Sequence, residues 1–334
     1  MTNTPRLLLA LSLPRHSGIL TPKVWETLKE RFPDFEVIQP EDFSPEDWQD
    51  FISTDNPEIL ITGWDIHPVP EKPPPALRYI CHLTGAIRRF IPRSYLEAGI
   101  RVTNWGNSIS HTIAEMGLFL ILHGLRNATA TQDNLHVRRG WKEDLPPNRS
   151  LFGRRVGIHG FGRIARELVH LLKPFQVRVS AYSPPVPDAV FREHEVTPAN
   201  GLLELFARNE IVVELEGLTP ETTGMVKTKH LRAMPDQGLL VVVGRAGLID
   251  EAAFHKEIRS GRINAALDVF WEEPLPEDSP LRGLRNLALF PHTAGPTPDQ
   301  LYRCGERALD NLQRYRAGEP LLEPLDPEAY DRIT

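Results

Sequence analysis

The segment Gly160-Phe161-Gly162-Arg163-Ile164-Ala165 combines residue types and spacing that suit the binding of a pyrophosphate. The apolar residues 156–159 read as a strand leading into it, and residues 164–172 read as a helix leaving it. Gly160 permits the tight turn. Gly162 lets the backbone approach the phosphates, which would lie on the helix N-terminus and its unpaired N–H groups. Ala165 stands where a third glycine is common and is still small enough for close helix–strand packing. Between a strand and a helix, this pattern marks a dinucleotide site; a glycine-rich turn that binds nothing is the alternative.

The next strand, read over residues 178–182, ends in Ala181-Tyr182-Ser183. An acidic residue commonly lies about 20 residues past such a turn and holds the ribose 2′-OH. Ser183, 21 residues after Gly162, stands there instead. A hydroxyl can bond either a 2′-OH or a 2′-phosphate. The nearest arginines are Arg163 and Arg192, neither adjacent to it. On this reading the choice between NAD and NADP stays open.

These residues need a scaffold of alternating strands and helices. Residues 7–13 read as a strand buried on both faces. Residues 21–31 read as a helix, capped by Thr21, with Pro22 in its first turn and Val24, Trp25 and Leu28 on one face. Residues 36–39, 58–62 and 77–83 read as further strands. Residues 68–75 hold five prolines and read as an extended connector. Residues 112–127 form a long apolar helical stretch. The tail, 299–318, is helical, with Leu301, Leu309 and Leu312 at helical spacing. Such alternation implies α/β architecture with parallel sheets. The strand–turn–helix–strand unit begins about 150 residues into the chain, so another α/β unit precedes it.

Bulk composition agrees. At 334 residues the chain exceeds what one hydrophobic core comfortably serves, so two domains are expected. The chain is 41% hydrophobic and 25% charged, an ordinary globular mixture. A net charge of -6 opposes non-specific binding to nucleic acid or to an anionic membrane. Cys81 and Cys304 are far apart and outside any metal-ligand spacing; they read as reduced core thiols in a cytoplasmic protein. No metal site is expected. The apolar run at 7–13 meets Pro14-Arg15-His16 and lacks a small-residue cleavage site, so a first strand is expected rather than a signal peptide.

Five segments together resemble the D-isomer-specific 2-hydroxyacid dehydrogenase family. They are residues 156–165; Leu218-Thr219-Pro220-Glu221-Thr222; 244–253, beginning Gly244-Arg245-Ala246-Gly247; Ala266-Leu267-Asp268-Val269-Phe270 with Glu273-Pro274-Leu275; and Pro291-His292-Thr293-Ala294-Gly295. The similarity runs over roughly residues 75–318. It implies two doubly wound parallel-sheet domains: a Rossmann dinucleotide-binding domain, 109–296, inserted into a flavodoxin-like substrate domain, 1–108 and 297–334. It also implies hydride transfer between a nicotinamide cofactor and a 2-keto or 2-hydroxy acid, and a homodimer through the helical region near 105–145.

The resemblance carries roles onto single residues. Arg245 matches a substrate-binding arginine, His292 a catalytic histidine, and Glu273 the carboxylate that supports it. Asp268 matches the aspartate that holds the nicotinamide carboxamide. Thr84, Gly85 and Ala86 match a loop whose backbone N–H groups bind the substrate carboxylate. The cofactor set becomes Gly160, Phe161, Gly162, Arg163, Ile164, Ser183, Leu215, Glu216, Gly217, Thr222, Val243, Gly244, Arg245, Asp268, His292, Ala294 and Gly295. The chemistry suits these types. A hydride arriving at a keto carbon makes its oxygen negative, and histidine is the side chain whose ordinary titration lies nearest neutrality. A carboxylate beside an imidazole favours its charged form and fixes its tautomer. Arginine offers a planar fork for a carboxylate. His82, His111, His123 and His159 are the competing acids, and Glu272 competes with Glu273 by adjacency.

Several positions depart from the family pattern. Leu215 and Gly217 stand where the family commonly has His-x-Pro or Cys-x-Pro, which puts the cofactor contacts there in doubt. Val242 takes the place of a common asparagine. Arg88 and Arg89 follow the substrate loop where relatives tend to have Asp-Asn; they are either a solvated basic turn or added positive potential for a second acidic group. Glutamine replaces the Glu273 equivalent in the formate dehydrogenase branch, which argues against that activity. Phosphite oxidation on the same scaffold stays open, and the other alternative is a non-enzymatic, dinucleotide-sensing interaction protein of the same fold.

Overall fold

The computed structural model describes residues 6–332. Two compact units divide the chain: one runs to Ile109 and resumes at Thr297, and the other is Ser110–Pro296. Each is built on a sheet that is parallel throughout among the described residues.

The first unit contains β1 (Leu7–Ala10), α1 (Pro22–Arg31), β2 (Glu36–Ile38), α2 (Pro45–Asp55), β3 (Ile59–Thr62), β4 (Tyr79–His82), α3 (Arg93–Glu97) and β5 (Arg101–Thr103). Strand order is β2-β1-β3-β4-β5, the flavodoxin-like doubly wound order. Every residue of β1, β3 and β4 is buried, as strands covered on both faces must be. Helix α2 begins with Ser44, whose hydroxyl accepts the Asp47 N–H at 3.1 Å, and it drives Trp48 and Ile52 into the core.

The second unit contains α4 (Ser110–Leu125), α5 (Ala128–His136), β6 (Arg155–His159), α6 (Arg163–Leu172), β7 (Arg178–Tyr182), α7 (Asp188–Glu193), β8 (Thr197–Pro198), α8 (Leu202–Arg208), β9 (Ile211–Glu214), α9 (Thr228–Ala233), β10 (Leu239–Val242), α10 (Glu251–Arg259), β11 (Asn264–Leu267) and β12 (Leu287–Leu289). The order β12-β11-β10-β9-β6-β7-β8 is the Rossmann order extended by one strand, and it reverses between β9 and β6. Alternation along the strands serves two cores. Val213 and Val241 join Leu120, Leu168 and Val169 on one face. Val212, Leu240 and Val242 join Phe206, Leu231 and Phe254 on the other. Helix α6 buries Ala165, Leu168, Val169 and Leu172, one apolar stripe at helical spacing.

The chain then completes the first unit with α11 (Tyr302–Ala317) and α12 (Pro327–Arg332). Tyr315 of α11 stacks on Tyr79 at 5.1 Å, and its hydroxyl donates to Glu58 at 2.8 Å. At Gly305 a Cβ would lie 1.9 Å from the Ile19 carbonyl oxygen, so only glycine admits this approach.

Some element limits differ from the sequence expectation. The first strand ends at Ala10 rather than residue 13: the Ser12 N–H turns to the Asp65 carboxylate, and the Ser12 carbonyl accepts the N–H groups of Arg15 and His16. The stretch expected as one helix over 112–127 spans Ser110–Leu125, and Asn127 in the left-handed region precedes α5. Leu301 precedes the tail helix instead of lying on its face. Among the described residues no helix is long and apolar enough to cross a membrane.

Candidate active site

The glycine turn lies where β6 passes into α6, at the strand-order reversal. Gly160 has φ +84°, and its N–H donates to the Tyr182 carbonyl at 2.9 Å. A Cβ on Gly160 would meet Glu216 N and Cα at 2.5 Å, so the 215–216 loop presses directly on the turn. A Cβ on Gly162 would meet nothing within 4 Å, which leaves open space beside the first turn of α6. Backbone N–H groups of that turn lack partners within the helix. The turn, the space and the helix end fit a dinucleotide pyrophosphate. Phe161 contributes only backbone here, since its ring is buried and stacks on Phe191 at 4.9 Å.

Ser183 is buried just past β7 and donates its hydroxyl to Glu216 Oε2 at 3.3 Å. Beneath the loop, His159 and Glu214 are in register on β6 and β9. Their side chains pair at 2.7 Å (Nδ1 to Oε2) with 1% and 0% exposure. Glu214 Oε1 accepts the Glu216 N–H at 3.1 Å, and the Glu214 carbonyl accepts the N–H groups of Val243 and Gly244. Burial works against charge on His159. The Glu214 carboxylate, its hydrogen bond and the charge of Glu216 outweigh it, and the imidazole's pKa is raised. Thr222 closes the loop: its hydroxyl donates to the Gly217 carbonyl at 2.7 Å.

The second unit also brings His292, Glu273, Asp268 and Arg245 together. His292 Nδ1 lies 2.7 Å from Glu273 Oε2, with both side chains partly open to solvent. Glu273 Oε1 accepts the Phe270 N–H at 2.9 Å, which fixes the carboxylate. Asp268 is fully buried at the end of β11. Its two carboxylate oxygens accept the Thr293 and Ala294 N–H groups, each at 2.8 Å, and its carbonyl accepts the His292 N–H at 2.8 Å. Burial raises the Asp268 pKa, and these amide bonds oppose the rise. Asp268 thus clamps the backbone that carries His292, which itself has φ +53°. The Arg245 guanidinium donates to the Gly244 carbonyl at 2.9 Å. Burial lowers its pKa while the nearby Glu273 charge works the other way; an arginine under such opposing influences stays charged. The arrangement can hold an anion beside a group able to give and take a proton. Beyond it, Gly295 packs near Thr112.

Thr84, Gly85 and Ala86 belong to the first unit, at the end of β4. Thr84 Oγ1 lies 2.7 Å from His82 Nε2, and His82 Nδ1 lies 2.8 Å from Thr62 Oγ1. Burial lowers the His82 pKa to about 3, so His82 is a neutral core residue. The Trp105 indole lies against Gly85. His123 sits among Phe119 and Phe290, its pKa lowered by burial. Arg88 bonds the Asp331 carbonyl at 3.4 Å, and Arg89 lies over the Phe90 ring at 5.9 Å, so both side chains already have local partners in the first unit.

A family model described as "D-isomer specific 2-hydroxyacid dehydrogenase, NAD binding domain" matches residues 118–294. The chain belongs to the D-isomer-specific 2-hydroxyacid dehydrogenase family. Within it, this member is 31% identical to D-3-phosphoglycerate dehydrogenase of Methanocaldococcus jannaschii over 225 residues, which cover 67% of this chain and 42% of that protein. The aligned stretch is thus less than half the length of that relative. The chain is also 31% identical to glyoxylate reductase of Korarchaeum cryptofilum over 258 residues, covering 73% of this chain and 75% of the relative. The apo crystal structure of Rhodotorula graminis D-mandelate dehydrogenase superimposes with a TM-score of 0.83 over 97% of this chain and 98% of that one. At 20% identity the likeness is one of fold. Family membership establishes a nicotinamide dinucleotide as the cofactor class.

Sequence reasoning missed two features of this family member. One is the buried His159–Glu214 pair; the other is the meeting of Glu216 with Ser183. A signal existed for the first: a histidine and a glutamate each end an otherwise apolar strand, Val156-Gly157-Ile158-His159 and Ile211-Val212-Val213-Glu214.

Proposed function

We propose that this protein is an oxidoreductase that interconverts a 2-keto acid and a 2-hydroxy acid, using NAD and taking His292 as the acid–base group. The observation that carries the reading is the His292–Glu273 contact of 2.7 Å beside Arg245, in the unit that holds the dinucleotide turn. The dehydrogenase and reductase names of the relatives favour turnover over a purely sensing role.

When bound, the dinucleotide supplies or accepts the hydride. The chain's own residues do the rest. Glu273 fixes the imidazole through Nδ1, so Nε2 serves the substrate oxygen, giving a proton in reduction and taking one in oxidation. Arg245 holds the substrate carboxylate, with its guanidinium anchored by the Gly244 carbonyl. Asp268 orients the carboxamide while clamping residues 292–294. Gly160, Gly162, Arg163 and Ile164 receive the pyrophosphate. Leu215, Gly217, Thr222, Val243, Ala294 and Gly295 border the rest of the dinucleotide. The unit Ser110–Pro296 is thus the dinucleotide-binding domain and the other the substrate domain.

The buried, unpaired Cys81 and Cys304 favour a reducing, cytoplasmic setting. Exposed Leu135, Val137 and Trp141 support a homodimer through residues 105–145, which light scattering tests.

The deciding experiment is a panel of 2-keto acids offered with NADH and NADPH, following loss of reduced-nicotinamide absorbance. Turnover of at least one keto acid is expected. Tight dinucleotide binding without turnover of any keto acid would favour the sensing role.

A further inference from the structure

We propose that Glu216 supplies, from the loop after β9, the acidic group missing from the end of β7, and that it makes the dinucleotide site selective for NAD over its 2′-phosphorylated form. The proposal rests on the dinucleotide reading above and names the residue that sets its selectivity.

In this fold the acidic group that accepts the ribose hydroxyls ordinarily ends the strand after the glycine turn. Here that position is Ser183, and the Ser183 hydroxyl donates to Glu216 Oε2 at 3.3 Å. A carboxylate has therefore reached the usual place by another route. The backbone explains how. The 215–216 segment lies against Gly160, where a Cβ would stand 2.5 Å from Glu216 N and Cα. Glu216 is thus held over the turn that receives the pyrophosphate, with its side chain directed to the end of β7. One dinucleotide spans that path, from phosphates to adenosine ribose.

The loop is fixed from below. Glu214 Oε1 accepts the Glu216 N–H at 3.1 Å, and His159 secures Glu214 at 2.7 Å inside the core. Glu216 Oε1 accepts the Gly217 N–H at 2.9 Å, which ties that oxygen to its own loop and leaves Oε2 toward Ser183. A carboxylate offers about four acceptor sites, so two ribose hydroxyls can be served beside the bonds already made. A ribose 2′-phosphate would instead bring about two negative charges against a carboxylate that the loop holds in place. Ser183 alone would accept either sugar; Ser183 with Glu216 discriminates. His159 and Glu214 are positioning residues for this loop.

The test is dinucleotide affinity of the full chain without substrate, by calorimetric titration with NADH and NADPH. The wild-type protein should bind NADH the more tightly. Glu216→Gln should weaken NADH roughly 10- to 100-fold, as expected for loss of a charged hydrogen bond, and should strengthen NADPH. Glu216→Asp, which keeps the charge but withdraws it from Ser183, should weaken NADH and still exclude NADPH. Adding Ser183→Asp to Glu216→Gln should restore the NADH preference by returning the acid to its ordinary place. An NADH-to-NADPH affinity ratio unchanged by both Glu216 substitutions overturns the proposal while leaving the dinucleotide reading intact. A wild-type protein that binds neither dinucleotide overturns both.

Discussion

Two imidazole–carboxylate pairs in the second unit share one geometry and differ in everything around it. His159–Glu214 and His292–Glu273 each place Nδ1 2.7 Å from a carboxylate oxygen. The first pair is sealed in the core, at 1% and 0% exposure; the second is 43% and 35% exposed. In the core, attraction is strong, but desolvation is costly and neither group can meet a substrate. Near the surface the attraction is weak, yet the ring can exchange a proton with a ligand and with water. Pair geometry therefore does not identify an acid–base group. Access does, together with neighbours that serve the same ligand: on the proposed function Arg245 beside Glu273 is such a neighbour, whereas His159 has the loop it supports.

Substitutions can break this contrast. The largest effect should come from His292→Asn, which is expected to slow keto-acid reduction about 10²- to 10⁴-fold while leaving the melting temperature unchanged. Steady-state and melting measurements check it; an equal loss of stability would assign His292 a structural role like that of His159. Glu214→Leu should lower the unfolding free energy by about 1–3 kcal/mol, because the buried His159 ring and the Glu216 N–H lose their partner. In urea titration the double variant His159→Leu/Glu214→Leu should recover much of that loss.

A pH series sharpens the same point. The His159 pKa is raised in the folded state. Its contribution should therefore be fully present below the unfolded value of about 6.5 and fade as pH rises through the folded value. The stability difference between wild type and the double variant should shrink on going alkaline; a constant difference would mean that His159 does not change its protonation over that range. The smallest stability effect is expected for Glu273→Gln, under about 1 kcal/mol for a partly exposed pair, with reduction still slowed roughly tenfold as His292 loses its orienting charge.

Much of this was legible in the sequence. Alternating apolar runs and caps revealed parallel α/β sheets because burial on both faces leaves a compositional trace. The glycine turn did so because the conformation at Gly160 and the approach of the 215–216 loop admit no side chain. Arg245, Glu273 and His292 were singled out through the motifs around them, and the second unit brings the three together. Partnerships across the sheet were not legible. Glu214 meets His159 because β9 lies beside β6 in one register, and Glu216 meets Ser183 because β7 flanks β6 on the other side; a side chain's neighbours across strands are not written in its local spacing. The same limit made Leu215 and Gly217 look like simple losses, when the residue between them had taken on a new contact. Asp268 showed a related gap: its amide bonds to 293 and 294 depend on where β11 ends.

The order in which the chain is made matters for the first unit. Its five strands are complete by Thr103, but α11, which brings Tyr315 onto Tyr79 and Gly305 against Ile19, begins about 200 residues later. At ordinary ribosomal speeds of about 5–20 residues per second, that sheet waits on the order of 10–40 s for part of its cover. The nascent chain therefore presents an apolar face to the cell while the inserted unit is being translated, and a C-terminal truncation would make that passing vulnerability permanent.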